Sequence, residues 1–376
     1  MPRVLLLHAS VGAGHKRAAQ ALAKAFETTY PGEVRVEDVL DHTPRLFRRA
    51  YVRSYLKLTD QAPLLWGYFY TSTNEDPELA EVSNNIRKAV EGIGTAGLNK
   101  LLKSFQPDVI ICTHFLPIEL LVKLRRKARF THPVYCVITD YGAHTFWTYT
   151  EIDGYFVATK QVREQLMQRG VSRLIIHESG IPIDPEVTCD KQRDVLRKHY
   201  ALPFDTPVIT LFGGGMSNEH VRVIAEGLLR SDQAGLLVIV AGRNETLVES
   251  LADLVPGPNM GVRVLGFISY VDDLIVSSDL VVTKAGGLII SEVLARGIPL
   301  VVIEPIPGQE EWNADFVVMS GAGIQLRIAE SVAPAVQRLL QRPHLLAEMR
   351  AGATQVARPR AADDIAKQIM VRLAEQ

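Results

Sequence analysis

The residues from Thr283 to Ala314, TKAGGLIISEVLARGIPLVVIEPIPGQEEWNA, carry the densest chemistry in the chain. They read as a strand, a Gly-rich turn, a helix over 288–296, a buried strand and a polar loop. At the turn Ala285-Gly286-Gly287 the missing side chains let backbone approach a ligand closely. The N–H groups and dipole at the start of the helix then favour an anion. Glu292, about one turn inside, is placed to accept from two adjacent ribose hydroxyls. After the apolar run Ile298–Ile303 the loop carries Gln309, Glu310, Glu311 and Asn313, amides and carboxylates that suit a polyhydroxylated ligand. Phosphate at a helix start, ribose on an acid and hexose on an amide-and-acid loop together point to a nucleotide sugar.

Other segments offer complementary groups. Gly12-Ala13-Gly14-His15 follows the first strand and opens the first helix. It is either a plain tight turn with His15 as a cap, or a turn that sets an imidazole to take a proton from an acceptor hydroxyl. Thr139-Asp140, with His144 and Trp147 close behind, follows the apolar strand Val134–Ile138. Asp140 there could bind an acceptor hydroxyl, orient His15, or only form an Asx turn. Gly213-Gly214-Gly215 lies between a strand and a helix, where exposed N–H groups could hold a diphosphate. Leu265-Gly266-Phe267-Ile268 could set backbone amides against the edge of a base. From Thr43 to Thr71, Arg45, Arg48, Arg49, Arg53 and Lys57 precede any acid, interleaved with aromatics that include Tyr55 and Trp66. Such a mixture suits the headgroup level of an anionic membrane, or is an ordinary basic helix face; no nucleic-acid-binding motif accompanies it.

These groups need elements to position them. Continuous apolar strands alternating with helices imply parallel sheets covered on both faces. The pattern restarts after Gly180-Ile181-Pro182-Ile183, so we expect a domain over 1–183 and another over 184–376, with the tail helix 360–375 packing back on the first. The expected fold class is α/β, two Rossmann-like domains facing each other across a cleft, with ligands at the carboxyl ends of the strands. The 376 residues suffice for two such domains, and 47% hydrophobic content fills their cores. Three scattered cysteines fit a reduced, cytoplasmic setting, and neither a signal peptide nor a membrane span is legible. Through Ile183, 23 Lys and Arg stand against 18 Asp and Glu, a net +5; the remainder has 18 against 24, a net −6. This asymmetry is either scatter or a basic half turned to an anionic surface.

The order G-x-G-H, TD-x3-H-x2-W, GIPI, a second Gly loop, LGF, TKAGG…SE and PGQE-x2-NA resembles the monogalactosyldiacylglycerol synthase and processive diacylglycerol glucosyltransferase family. These are GT-B glycosyltransferases of family 28, related to the enzyme that adds N-acetylglucosamine to lipid I. The Pro-Gly-Gln-Glu start of the loop favours the glycolipid branch. The resemblance implies a donor site of Gly214, Gly215, Lys284, Gly286 and Gly287 around the diphosphate, Phe267 by the uracil and Glu292 on the ribose. Gln309 and Glu310 would hold the hexose, with Asn313 supporting their loop. His15 would be the general base, with Asp140, Gly14, His144 and Trp147 near the acceptor, and Arg45, Arg48, Arg49, Arg53, Tyr55 and Trp66 toward the membrane. The chain departs at Ile289, where relatives usually carry Thr.

The expected reaction is inverting transfer of a hexose from UDP-glucose or UDP-galactose to a lipid hydroxyl, diacylglycerol by resemblance, on the inner face of the cell membrane. No cofactor or metal is expected, since no DxD-like cluster stands where a divalent ion would act; Asp272-Asp273 and Asp363-Asp364 read as capping or solvated acids on helices. Two other readings share the motifs: a UDP-sugar 2-epimerase of the same fold, and a non-catalytic nucleotide-sugar sensor.

Overall fold

The computed structural model describes residues 2–10, 12–56, 94–127, 130–308 and 310–375. The chain forms two compact units, one of residues 1–186, 306–312 and 358–376, the other of 187–305 and 313–357. The loop 306–312 groups with the first unit, where a single cut after Ile183 would put it in the second, and the tail groups with the first unit as well. Both units are Rossmann-like, as the alternation of apolar strands and helices requires.

In the first unit the strands β1 (Arg3–His8), β2 (Glu33–Asp38), β3 (Val109–Cys112), β4 (Val134–Val137), β5 (Gly154–Val157) and β6 (Ile176–Glu178) form a parallel sheet in the order β2-β1-β3-β4-β5-β6. Strands β3, β4 and β5 are buried throughout, so their sequences are unbroken apolar runs rather than alternations. Helix Ala13–Thr29 follows β1 and buries Ala18, Ala19, Leu22, Ala23 and Phe26. Helix Ala361–Ala374 places Ala362, Ile365, Ala366 and Ile369 in the same core cluster. Its i, i+4 apolar spacing is what lets one face be covered.

In the second unit β7 (Val208–Phe212), β8 (Gly235–Val240), β9 (Met260–Leu265), β10 (Leu280–Thr283), β11 (Leu300–Ile303) and β12 (Gly323–Leu326) pair in parallel in the order β12-β11-β10-β7-β8-β9. In both sheets the first strand of the unit sits inside the sheet. Successive connections therefore leave it in opposite directions, and a crevice opens at that switch point beyond the carboxyl ends. In the first unit the switch lies between β1 and β3, in the second between β7 and β10. No described helix is long and apolar enough to cross a membrane.

Candidate active-site residues in the two units

At the first switch point the chain leaves β1 and turns into helix Ala13–Thr29 through Gly12, whose φ of 104° is a backbone conformation that glycine adopts without penalty. The helix starts at Ala13, so His15 lies in its first turn. His15 is buried, and its Nδ1 lies 2.7 Å from the Thr113 carbonyl oxygen at the end of β3. A carbonyl only accepts, so Nδ1 carries the proton and Nε2 keeps its lone pair. Thr113 Oγ1 returns a 2.9 Å bond to the His15 carbonyl, and Thr139 Oγ1 lies 3.0 Å from the same Nδ1. Burial pushes the His15 pKa down to about 4, against the Thr113 carbonyl, which raises it. The imidazole is thus neutral at physiological pH, with its tautomer fixed.

Two threonines, Thr113 and Thr139, thus meet the ring at Nδ1. Asp140 itself is buried in the loop after β4. Trp147 is buried with its ring centroid 6.4 Å from that of His15. His144 is fully buried, and its Nδ1 accepts from the Phe146 N–H at 3.1 Å, capping the turn Thr145–Trp147. It therefore shapes the turn that carries Trp147. A Cβ on Gly14 would meet nothing within 4 Å, leaving open space beside the first helical turn. Sequence reasoning missed His114, whose ring meets that of His15 edge-on with centroids 4.6 Å apart. Its Nδ1 accepts from Leu116 N–H at 3.0 Å, and burial, then the neighbouring His15 and His8, hold its pKa well below the ordinary value. A histidine two residues past a buried apolar strand is the signal that could have found it.

The second unit gathers its groups at the other switch point. Helix Gly287–Ala295 starts after Gly286 with no side-chain cap and no acid in its first turn, so its leading N–H groups are available to an anion. Lys284, half-buried at the end of β10, has no ion-pair partner among the described residues. Glu292 is buried on the same helix, and Ile289 is half-buried. Asn313 is fully buried and its Nδ2 donates to the Ala285 carbonyl at 2.9 Å, tying the start of helix Glu311–Met319 to the Gly-rich turn.

The Gly loop after β7 divides by cause. A Cβ on Gly214 would lie 2.7 Å from the Ala241 carbonyl, so this glycine is set by backbone packing. A Cβ on Gly215 would meet nothing within 4 Å, and this residue leaves room for a ligand. Phe267 is 65% exposed and lies under the Arg243 guanidinium, 5.0 Å from its carbon to the ring centroid. Arg243, just past β8, was not singled out from sequence because a lone Arg carries no spacing. Glu304, also missed, has a left-handed φ of 50° at the end of β11 and pairs with His220.

In the loop 306–312, Glu310 Oε2 accepts from the Ile306 N–H at 2.8 Å and Glu311 Oε2 from the Gly308 N–H at 2.8 Å. The carboxylate expected on the hexose thus also closes its own loop. Gln309 lies outside the described residues, as do Trp66 and the side chain of Tyr55. Trp312 packs on Gly142, where a built Cβ would come within 1.9 Å of its ring.

Arg45, Arg49 and Arg53 are exposed on helix Arg45–Leu56, with the rings of Phe47 and Tyr51 5.4 Å apart. Arg48 pairs with Asp41, so it is not the free cation that the local absence of acids suggested. Asp272 and Asp273 are likewise not solvated. Asp272 binds Arg296 at 2.6 Å and Lys191 at 2.6 Å, and Asp273 accepts from Tyr200 Oη at 2.7 Å and pairs with Lys191 at 2.5 Å.

Known protein families match both units of the chain. Residues 15–183 match the family described as monogalactosyldiacylglycerol (MGDG) synthase, and residues 208–369 match the glycosyltransferase family 28 C-terminal domain. The processive diacylglycerol beta-glucosyltransferase of Bacillus pumilus is 28% identical over 349 residues, covering 93% of this chain and 89% of the relative. Among solved structures, MurG of Acinetobacter baumannii superposes with a TM-score of 0.63 at 18% identity, over 98% of this chain and 99% of that one. A UDP-GlcNAc 2-epimerase from Neisseria meningitidis gives 0.60 at 14% identity over all of both chains. The last two establish the fold alone. With matches to both units and relatives spanning nearly its whole length, the chain belongs to the monogalactosyldiacylglycerol synthase and processive diacylglycerol glucosyltransferase family of GT-B glycosyltransferases.

Proposed function

We propose that the protein transfers a hexose from UDP-glucose or UDP-galactose to the hydroxyl of a diacylglycerol-like membrane lipid, with inversion at the anomeric carbon. The observation that carries this reading is His15: a buried imidazole, neutral, its proton held on Nδ1 by the Thr113 carbonyl. That is the state a general base needs, with the Nε2 lone pair ready for a hydroxyl proton.

In the reaction, Nε2 takes the proton of the acceptor hydroxyl while its oxygen attacks the anomeric carbon, and UDP leaves as an anion. Lys284 and the uncapped N-terminus of helix Gly287–Ala295 stabilise the charge that develops on the diphosphate, with Gly215 giving it room. These groups let leaving-group stabilisation proceed without a metal, and turnover is expected to survive a chelator. Glu292 takes the ribose, Phe267 with Arg243 the uracil, and Gln309 and Glu310 the hexose hydroxyls. Asp140 and Trp147 flank the acceptor, His144 holding the turn that presents Trp147. The lipid is met at the inner face of the cell membrane, with Arg45, Arg49 and Arg53 toward anionic headgroups.

The test is transfer of labelled hexose from each UDP-sugar to diacylglycerol in anionic liposomes, followed into the organic phase. Label from one donor in a single lipid product supports the reading and names the sugar. Consumption or epimerisation of donor with no lipid product rejects it in favour of a soluble epimerase, and binding without consumption in favour of a sensor.

A further inference from the structure

His114 packs against His15 and has no part in the chemistry assigned to it above. It is 1% exposed, and its ring meets that of His15 edge-on, with centroids 4.6 Å apart and planes at 83°. The Trp147 ring lies 6.4 Å from each, so two imidazoles and an indole form one cluster just past β3.

The same stretch of backbone holds both imidazoles at Nδ1. His15 Nδ1 donates to the Thr113 carbonyl at 2.7 Å, and His114 Nδ1 accepts from the Leu116 N–H at 3.0 Å. Both Nε2 atoms therefore point away from residues 113–116. The two rings are opposite tautomers. A ring nitrogen that accepts an N–H carries no proton, so His114 has its proton on Nε2, where His15 keeps a lone pair. A second proton on His114 would displace the Leu116 N–H, and the N-terminus of helix Phe115–Arg126, which His114 caps, disfavours positive charge. The His114 Nε2–H meets no acceptor among the described residues. Folded chains rarely leave a donor on so buried a ring without a partner.

We propose that His114 Nε2–H donates to an oxygen on the carbon next to the reacting hydroxyl, so that the site selects lipid acceptors with two vicinal oxygens. The bond does not go to the nucleophile itself, whose lone pairs are needed at the anomeric carbon. In a diacylglycerol the neighbouring oxygen is the ester oxygen at C2. Held there, the acceptor keeps its hydroxyl proton toward His15 Nε2, an orientation that lowers the barrier to transfer. A long-chain alcohol without the second oxygen leaves the donor unpaired and loses rate. The inference rests on the reading that the acceptor is a diacylglycerol-like lipid and His15 its base.

The experiment compares two acceptors in detergent micelles, 1,2-dioctanoylglycerol and its analogue with methylene in place of the ester oxygen at C2. The full chain is used unsubstituted, as His114→Asn and as His114→Gln. The Asn amide oxygen takes the place of Nδ1 and still caps the Leu116 N–H, but no atom remains in the place of Nε2. The longer Gln amide returns an N–H near that place. The unsubstituted protein favours dioctanoylglycerol by about tenfold to a hundredfold in kcat/KM, the range for one hydrogen bond to a buried group. In His114→Asn the preference falls to within about twofold, the loss lying on dioctanoylglycerol, and His114→Gln recovers part of it. The preference is a ratio within one preparation, so partial unfolding of a variant cancels. Equal rates on the two acceptors with the unsubstituted protein overturn the inference. So does a preference that survives in His114→Asn, or a rate lost equally on both acceptors, which marks a structural role. Transfer to neither acceptor from UDP-glucose or UDP-galactose fails the proposed function, and this inference with it.

Discussion

Asn313 offers the sharpest link between the Gly-rich turn and donor binding. Its amide is fully buried and donates to the Ala285 carbonyl at 2.9 Å. Asn313→Ala leaves that carbonyl without its donor in a site that water does not reach, a penalty of about 1–3 kcal/mol. For a unit of this size, about 2 kcal/mol lowers the melting temperature by about 4–8 °C. Asn313→Asp is worse at neutral pH, because a carboxylate then faces a carbonyl oxygen. The displaced turn carries Gly286 and Gly287, so UDP binding weakens along with stability. Differential scanning calorimetry and UDP titration on the two variants read both effects. An Asn313→Asp protein that melts with the unsubstituted one and binds UDP as tightly would refute the tie between Asn313 and the turn.

Three further outcomes follow from contacts described above. Gly142→Ala puts a methyl group where the Trp312 ring lies, so the loop 306–312 must shift; donor KM rises, and adding Trp312→Leu recovers part of it, read by steady-state kinetics. Asp279→Ala strips partners from Arg193, Arg197 and the Val208 N–H, and Arg197 is only 3% exposed; the loss is about 3–5 kcal/mol in urea unfolding, and a loss under 1 kcal/mol would contradict it. For acid stability, burial lowers the His15 pKa from 6.5 to about 4 in the folded chain, so the unfolded chain takes the proton first. Stability from this group is complete above pH 6.5 and falls by about 3 kcal/mol as pH drops to 4. His15→Asn flattens the slope of unfolding free energy between those pH values, and an unchanged slope would exclude this origin.

What was legible in the sequence is what local rules write there. Runs such as LVVT, VIIC and LVVI are buried on both faces, and they announced parallel strands to within a residue or two. Strand Val134–Ile138 and helix 288–296 fall within a residue of where their patterns placed them. Strand β2, Glu33–Asp38, was not foreseen, because this edge strand is only half-buried and its EVRVED sequence is charged. Glycines marked both crevices, yet not their own reasons: Gly214 answers to the Ala241 carbonyl and Gly215 to open space. His15 was visible from the turn before it, while its orientation depends on Thr113, 98 residues away, which no local pattern can encode. Arg243 over Phe267 and the pairing of Asp272 with Lys191 and Arg296 are likewise tertiary facts.

The most direct measurement is turnover and UDP affinity side by side for the unsubstituted protein and His15→Ala, on diacylglycerol liposomes with the preferred UDP-sugar. A general base at His15 predicts a turnover loss of ~10²–10⁴ with UDP binding within about twofold. Intact turnover at saturating donor, accompanied by strongly weakened UDP binding, would contradict it.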